Sequence, residues 1–379
     1  MVDGKIISSV TVCSLSNSNY FSNEDHQITG GSERQIKYLV DALLSNEIKV
    51  QVLLTNSTNH VSNVNENLCI KNLWGAKSNF LYKIFKLSLS LMASNQYIYL
   101  RGLSWAHLYI IFISRLLGRK IILSMTSDIQ CVKSNSVFIN IMRNSSLHLV
   151  STLLSQTNKQ KLLLSNNFNV KSSVYYNLIS SSYLNKSYKN RNLFGSRSID
   201  ALWIGTIEPR KGIPYLIDLA KRFPDKKISI VGNGRIREKD FESDMLNQLK
   251  SLNNVSLLGF IQPQMVGDLI SSSKVLLNTS PIIDKGVTKE GFPNVFLEAW
   301  LFGTPVVSLF HDPDDLLINK GLGHICHNME TFYHSINELS QNEYAWNDIS
   351  ERCETWIKGR DIYFDKVRNE LEETLFSND

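Results

Sequence analysis

The chain has no apolar run long enough to cross a bilayer. Its longest, Leu103 to Leu117, holds His107 and Arg115 and falls short of the about 20 apolar residues a spanning helix needs, so it reads as a buried helix. The start, MVDGKIISSVTVC, lacks the basic region and long apolar stretch of a secretory signal and enters a strand-like pattern at once, which makes the cytosol the expected location. Cysteine is sparse: Cys13, Cys69, Cys131, Cys326 and Cys353 are odd in number and scattered without paired ligand spacing. That argues against a disulfide framework or a zinc site and fits a reducing compartment. His107, His148, His324 and His327 also lack a regular ligand spacing, and no metal is expected. The net charge of +5 looks spread along the chain with no dense basic block, so no nucleic-acid partner is required. The loop before Gly30-Gly31 lacks Gly-x-Gly-x-x-Gly, which counts against a nicotinamide-dependent dehydrogenase.

What is present points to two α/β domains. A length of 379 residues exceeds the usual single core, and 43% hydrophobic residues support globular folding. Ile6, Ile7, Val10 and Val12 suggest a strand. Ile36, Leu39, Val40, Leu43 and Leu44 recur at the spacing of one helical face, and Ile48, Val50, Val52 and Leu54 alternate as a second strand, which makes a βαβ unit. Further strands are expected at Tyr97 to Leu100, Lys120 to Ser124, Leu147 to Ser151 and Ser173 to Tyr176. The stretch SSSYLNKSYKNRNLFGSRS loses this periodicity and reads as a linker, after which strands and helices alternate again from Ala201 to Leu277. The expected domains are residues 1–180, a linker at 181–198, a second domain at 199–358, and a C-terminal helix at 359–379 packing back on the first.

Ligands of open parallel sheets sit beyond the carboxyl ends of the strands, so the loops there carry the search. Gly205 opens the loop Gly205-Thr206-Ile207-Glu208-Pro209-Arg210-Lys211-Gly212, which puts two adjacent cations at a helix entry, where free N–H groups favour phosphate. A solvated basic turn would have the same composition. Gly232-Asn233-Gly234 also follows a strand and would let backbone approach a ligand. The most informative segment is EGFPNVFLEAWLFGTPVV. Pro293 suits the first turn of a helix and Gly303 its end, so Glu290 precedes the helix and Glu298 lies within it. A glutamate inside an apolar helix costs desolvation energy unless it accepts hydrogen bonds, and ribose hydroxyls are suitable donors.

Glu290 and Glu298, with seven residues between them in that segment, resemble the signature of glycosyltransferase family 4. The resemblance extends through IGTIEPRKG, ISIVGNG and VSLLGF, and to Gly30-Gly31-Ser32-Glu33-Arg34 in the first half. It implies the GT-B fold: two Rossmann-like, doubly wound parallel-sheet domains facing a central cleft. It also implies a retaining, metal-independent hexosyltransferase whose donor is a nucleoside-diphosphate sugar, with no cofactor. Glu298 would then bond the ribose, and Glu290 would face the transferred sugar. The backbone of Gly291, Phe292, Pro293 and Asn294 would approach sugar and diphosphate, with Lys211 and Arg210 neutralising the departing charge. Gly259, Phe260 and Ile261 would hold the base, and Gly30 and Gly31 would approach the phosphates. The sequence departs from the family at Thr206, where an arginine is common and Arg210 is the candidate compensation, and at Leu123 to Asp128, where many members carry a histidine. Asp128 is either the replacement or a turn-capping aspartate.

The resemblance further implies a glycan or polyprenyl-linked glycan acceptor in bacterial surface polysaccharide synthesis. A basic amphipathic stretch, Lys77 to Met92, could rest on an anionic membrane surface through Lys77, Lys83 and Lys86, or simply pack on its own sheet. Asp312-Pro313-Asp314-Asp315 resembles a metal-binding pair but reads as a structural turn. The alternative to an enzyme is an inactive GT-B-like binding subunit, against which the intact Glu290, Glu298 and Lys211 count.

Overall fold

The first apolar alternation and the first helical stripe form one βαβ unit. Strand β1 (Ser9–Asn17) pairs in parallel with β2 (Lys49–Thr55), and α1 (Gly31–Ser45) crosses between them. Ile36, Leu39, Val40 and Leu43 are the buried side of α1. The computed structural model describes residues 9–17, 30–55, 62–75, 77–179, 192–234, 239–284 and 287–359. The chain forms two compact units, which change over in sequence at Leu178 and Ile179.

The first unit continues with β3 (Ser62–Asn65), β4 (Leu68–Asn72), α2 (Phe80–Met92), β5 (Tyr97–Arg101), α3 (Trp105–Leu116) and β6 (Lys120–Ser124). It ends with α4 (Val137–Leu149), β7 (Thr152–Ser155), α5 (Asn158–Phe168) and β8 (Ser173–Val174). The sheet order is β3-β4-β2-β1-β5-β6-β7-β8, parallel except for β3 against β4. One core holds α1 against this sheet, and a second holds α2, α3, α4 and α5 against its other face, so the sheet is doubly wound. Asn79, Ser104, Ser136 and Thr157 start α2 to α5 by accepting the backbone amide three residues on.

Two expectations for this unit are corrected. Leu147 to Ser151 is the last turn of α4 and the loop behind it, and the strand is β7. A short apolar run does not distinguish strand from helix end, and here Met142, Ser146 and Leu147 face the core at helical spacing. The run Leu103 to Leu117 is a helix with only one buried side: Ile110, Ile111 and Ser114 face inward, while Trp105, Phe112 and Leu116 are exposed. Among the described residues no helix is long and apolar enough to cross a membrane.

The second unit runs β9 (Ile199–Ile204), α6 (Ile213–Arg222), β10 (Ile228–Val231), α7 (Lys239–Lys250), β11 (Val255–Gly259), α8 (Pro263–Ser271) and β12 (Ser273–Asn278). There follow β13 (Ile282–Asp284), β14 (Val287–Thr288), α9 (Asn294–Leu301), β15 (Val306–Leu309), α10 (Leu316–Asn319), β16 (Gly323–Cys326), α11 (Met329–Gln341) and α12 (Glu343–Gly359). Its main sheet has the order β11-β10-β9-β12-β15-β16 and is parallel throughout.

Residues 192–198, the end of the expected linker, are anchored to this unit. The buried Arg197 donates to the carbonyls of Ile270, Ser273 and Phe302 and to Thr304 Oγ1, and its guanidinium lies 4.4 Å from the Trp346 ring centroid. Five donors in a planar fork satisfy several loop ends at once. The rest of the expected linker, the first part of the first strand and the expected C-terminal helix beyond Gly359 lie outside the described residues.

Candidate active site

The strands of the second sheet reverse direction of progress between β9 and β12: β9, β10 and β11 run outward one way, β12, β15 and β16 the other. Such a switch point opens a crevice at the carboxyl ends of the strands. The loop after β9 leads into it through a short 3-10 turn, Pro209–Lys211, and Gly212, whose φ of 68° is left-handed. A Cβ at Gly212 would lie 1.9 Å from the Thr279 carbonyl oxygen, so only glycine lets the two loops approach. Thr279 Oγ1 donates to the Lys211 carbonyl at 2.7 Å and accepts from Trp203 Nε1 at 3.1 Å, which fixes the backbone at Lys211.

Lys211 Nζ donates to Glu290 Oε1 at 2.6 Å, and Arg210 NH1 stands 3.9 Å from the same oxygen. Ser280 Oγ lies 2.8 Å from that oxygen and 3.0 Å from Asn278 Oδ1. Glu290 is 8% exposed. Burial pushes its carboxyl up, but Lys211, then Arg210 and His311, more than offset this, and its pKa falls from 4.5 to about 2. Glu290 is therefore an anion at neutral pH.

Arg210 NH2 also reaches Glu208 Oε1 at 2.6 Å, and Thr206 Oγ1 donates to the same carboxylate. Thr206, where the resemblance leads one to expect an arginine, thus holds the acid that orients Arg210. Two cations and two carboxylates make a locally neutral cluster.

Helix α9 starts behind Pro293, which is extended and is the N-cap rather than the first helical residue. Gly303 closes the helix at φ 64°. Glu298 is buried at 3% exposure, among Phe296, Leu297, Ala299 and Trp300 of its own helix. Phe292 turns its ring into the core, 6.2 Å from the centroid of Trp300, so at this position only the backbone is available to a ligand. Gly291 is held by His311, whose Nε2 lies 2.9 Å from the Gly291 carbonyl oxygen. A carbonyl only accepts, so this nitrogen carries the proton.

Gly205 and Gly232 face each other across β9 and β10. A Cβ at Gly232, where φ is 135°, would fall 1.7 Å from the Gly205 carbonyl oxygen. Gly234 bridges to Ile207, and its amide donates to Glu242. Gly232 also donates to the Gly259 carbonyl at 2.7 Å, which brings Phe260 and Ile261 to the same carboxyl edge. Gly30, Gly31 and Asp128 belong to the first unit. Gly30 is the extended N-cap of α1. Asp128 is 1% exposed, accepts from Gln160 Nε2 at 3.1 Å and pairs with Lys159 Nζ at 3.3 Å.

Asp312 caps α10 by accepting the amides of Leu317 at 2.9 Å and Ile318 at 3.2 Å, and burial raises its carboxyl to about 6. The Asp312 to Asp315 segment is thus a capping turn. Among the described residues no group of three or more His, Cys, Asp or Glu is arranged to hold a metal ion.

Sequence reasoning missed Glu208, Ser280 and His311. Ser280 and His311 each lie two residues past the carboxyl end of a strand, β12 and β15, which is the signal that could have found them. His311 follows Phe310, a non-glycine residue at φ 70° at the strand end.

Comparison with known proteins places similarity in the second unit and in the fold of nearly the whole chain. Residues 198–342 match the family model described as Glycosyl transferases group 1. A Haemophilus influenzae protein described as an uncharacterized glycosyltransferase is 27% identical over 183 residues. That match spans 46% of this chain and 48% of the relative, about half of each. Among solved structures, Anabaena HepE in complex with UDP and glucose is 17% identical with a TM-score of 0.73, over 98% of this chain and 100% of that one. Sucrose-phosphate synthase from Thermosynechococcus elongatus is 13% identical with a TM-score of 0.77, at the same coverage of both chains. Residues 198–342 thus resemble group 1 glycosyl transferases, and along nearly the whole chain the fold is that of GT-B proteins.

Proposed function

We propose that this chain is a retaining, metal-independent hexosyltransferase. It moves a sugar from a nucleoside-diphosphate sugar to a glycan or polyprenyl-linked glycan in bacterial surface polysaccharide synthesis, on the cytoplasmic side. The observation that carries the reading is the Lys211–Glu290 pair at 2.6 Å, beside the switch point and just ahead of the N-terminus of α9. HepE bound to UDP and glucose supports a uridine diphosphate sugar as the first donor to try.

Cleaving the donor builds positive character at the anomeric carbon and negative charge on the diphosphate. Lys211, Arg210 and the backbone amides at the start of α9 receive the phosphate charge. Glu290, ionised with a pKa of about 2, serves as an anionic neighbour of the sugar and not as a proton donor. In the absence of donor the cations are balanced by Glu290 and Glu208, and an arriving diphosphate competes for them. Glu298 reads the ribose hydroxyls. Retention follows from front-face attack in a tight ion pair, which asks for positioning and no dedicated base. Asp128, in the first unit, is the candidate acceptor-side residue.

Donor hydrolysis tests this reading through release of nucleoside diphosphate and the anomer first formed by NMR. Wild type is expected to release diphosphate with retention, and Lys211→Ala and Glu290→Gln are expected to lose most of that activity while folded. Nucleotide binding without turnover on any donor would favour the inactive binding subunit instead.

A further inference from the structure

Helices α2, α3 and α4 lie side by side on one face of the first sheet. Leu87 and Leu91 of α2, Ile110 and Ile111 of α3 and Leu147 of α4 share one core. α3 packs against both of the others, and the Ser88 and Tyr109 hydroxyls meet at 2.7 Å between α2 and α3. The opposite sides of the three helices therefore point outward together, and they are apolar. Leu81 is 77% exposed, Phe85 59%, Phe112 52%, Leu116 70%, Val137 68% and Phe138 75%. Residues 81 and 85, and 112 and 116, recur at one-turn spacing, so these residues form a stripe on α2 and another on α3. Single exposed apolar residues are ordinary on a protein surface, but a contiguous face on three adjacent helices marks an interaction site.

The charge around this face has one sign. From residue 67 to residue 178 the sequence contains thirteen Lys and Arg and one acid, Asp128. That acid is 1% exposed and paired with Lys159. The net charge of +5 is thus unevenly distributed, contrary to the first impression from the sequence. Lys77, Lys83, Lys86 and Arg115 sit on or beside the apolar stripes.

We propose that the outer face of α2, α3 and α4 docks on an anionic lipid bilayer, with its aromatic and aliphatic side chains entering the headgroup boundary and its cations meeting lipid phosphates. A second copy of the chain is the poorer occupant, because a face without exposed acid would set like charges against each other. Anionic lipid supplies both the opposite charge and the hydrocarbon. The surface spans three helices and is wider than the basic stretch of α2 alone. Its test needs no donor, so it stands or falls separately from the transfer reading.

The full chain is sedimented with vesicles of phosphatidylcholine, alone or mixed with phosphatidylglycerol. Binding is expected to the mixed vesicles only and to fade as salt rises from about 0.1 M to 1 M, where the Debye length falls from about 10 Å to 3 Å. Each lysine of Lys77, Lys83 and Lys86 changed to Gln is expected to lower partition about fivefold, from about 1 kcal/mol per charge. The double change Phe85→Ser with Phe112→Ser is expected to abolish it, with thermal unfolding unchanged. The proposal is overturned if wild type stays in the supernatant with both vesicle types, or if both sets of variants bind as wild type does. It is equally overturned if sedimentation velocity shows a dimer that Phe112→Ser separates, since the face would then join two copies.

Discussion

Replacing Glu290 with Gln tests the site most sharply because the same carboxylate is tied to both stability and chemistry. Its side chain is only 10% exposed, so solvent screens its pairing with Lys211 little. Its folded pKa of about 2 lies below the ordinary 4.5, so the ionised form is favoured by folding. The sign follows: the stabilisation is fully present above about pH 5 and is lost as pH falls through 4.5 towards 2. That difference corresponds to about 3 kcal/mol at pH 7, falling to about 2 kcal/mol near pH 3.5. Urea unfolding of wild type and Glu290→Gln at these two pH values reads the gap directly. The variant is also expected to bind nucleoside diphosphate as well as wild type or better, since Lys211 no longer shares its charge, while turnover collapses. A stability gap below about 0.5 kcal/mol at both pH values, or equal losses of affinity and turnover, would refute the pairing.

Glu298→Gln keeps the shape of the side chain and is expected to weaken nucleotide binding by about 1.5 to 3 kcal/mol by calorimetry; unchanged affinity in a folded variant would remove the ribose assignment. Gly212→Ala is expected to cost more than about 2 kcal/mol in urea unfolding, because the new Cβ meets backbone and φ is positive. A wild-type unfolding curve would contradict that packing. Chelator is expected to leave the transfer rate unchanged, and loss restored by magnesium would overturn the cationic account of catalysis.

The sequence made legible what is local or periodic. The spacing of Glu290 and Glu298 around Pro293, the paired cations Arg210 and Lys211, and the glycines at strand ends are short-range signals, and the alternating elements carried the fold class. What it hid depends on pairing across distance. Lys211 and Glu290 are 79 positions apart, and their contact exists because β9 and β12 are neighbours at the switch point. His311 is 20 residues from Gly291 and reaches it from the end of β15, a placement that the left-handed Phe310 helps set. The run Leu103 to Leu117 is apolar on nearly every side, so its exposed face could not be read from periodicity. Leu147 to Ser151 misled for the same reason.

The central claim is that the second unit binds a nucleoside-diphosphate sugar through Lys211, Glu290 and Glu298. The most direct measurement is a thermal-shift panel of UDP-, GDP- and ADP-sugars on wild type and Glu298→Gln. A donor at about 100 times its dissociation constant adds about 2.7 kcal/mol to stability. The account expects one donor class to stabilise wild type by that order and to stabilise Glu298→Gln much less. Stabilisation by none of them, or equal stabilisation of both proteins by the same donor, would contradict it.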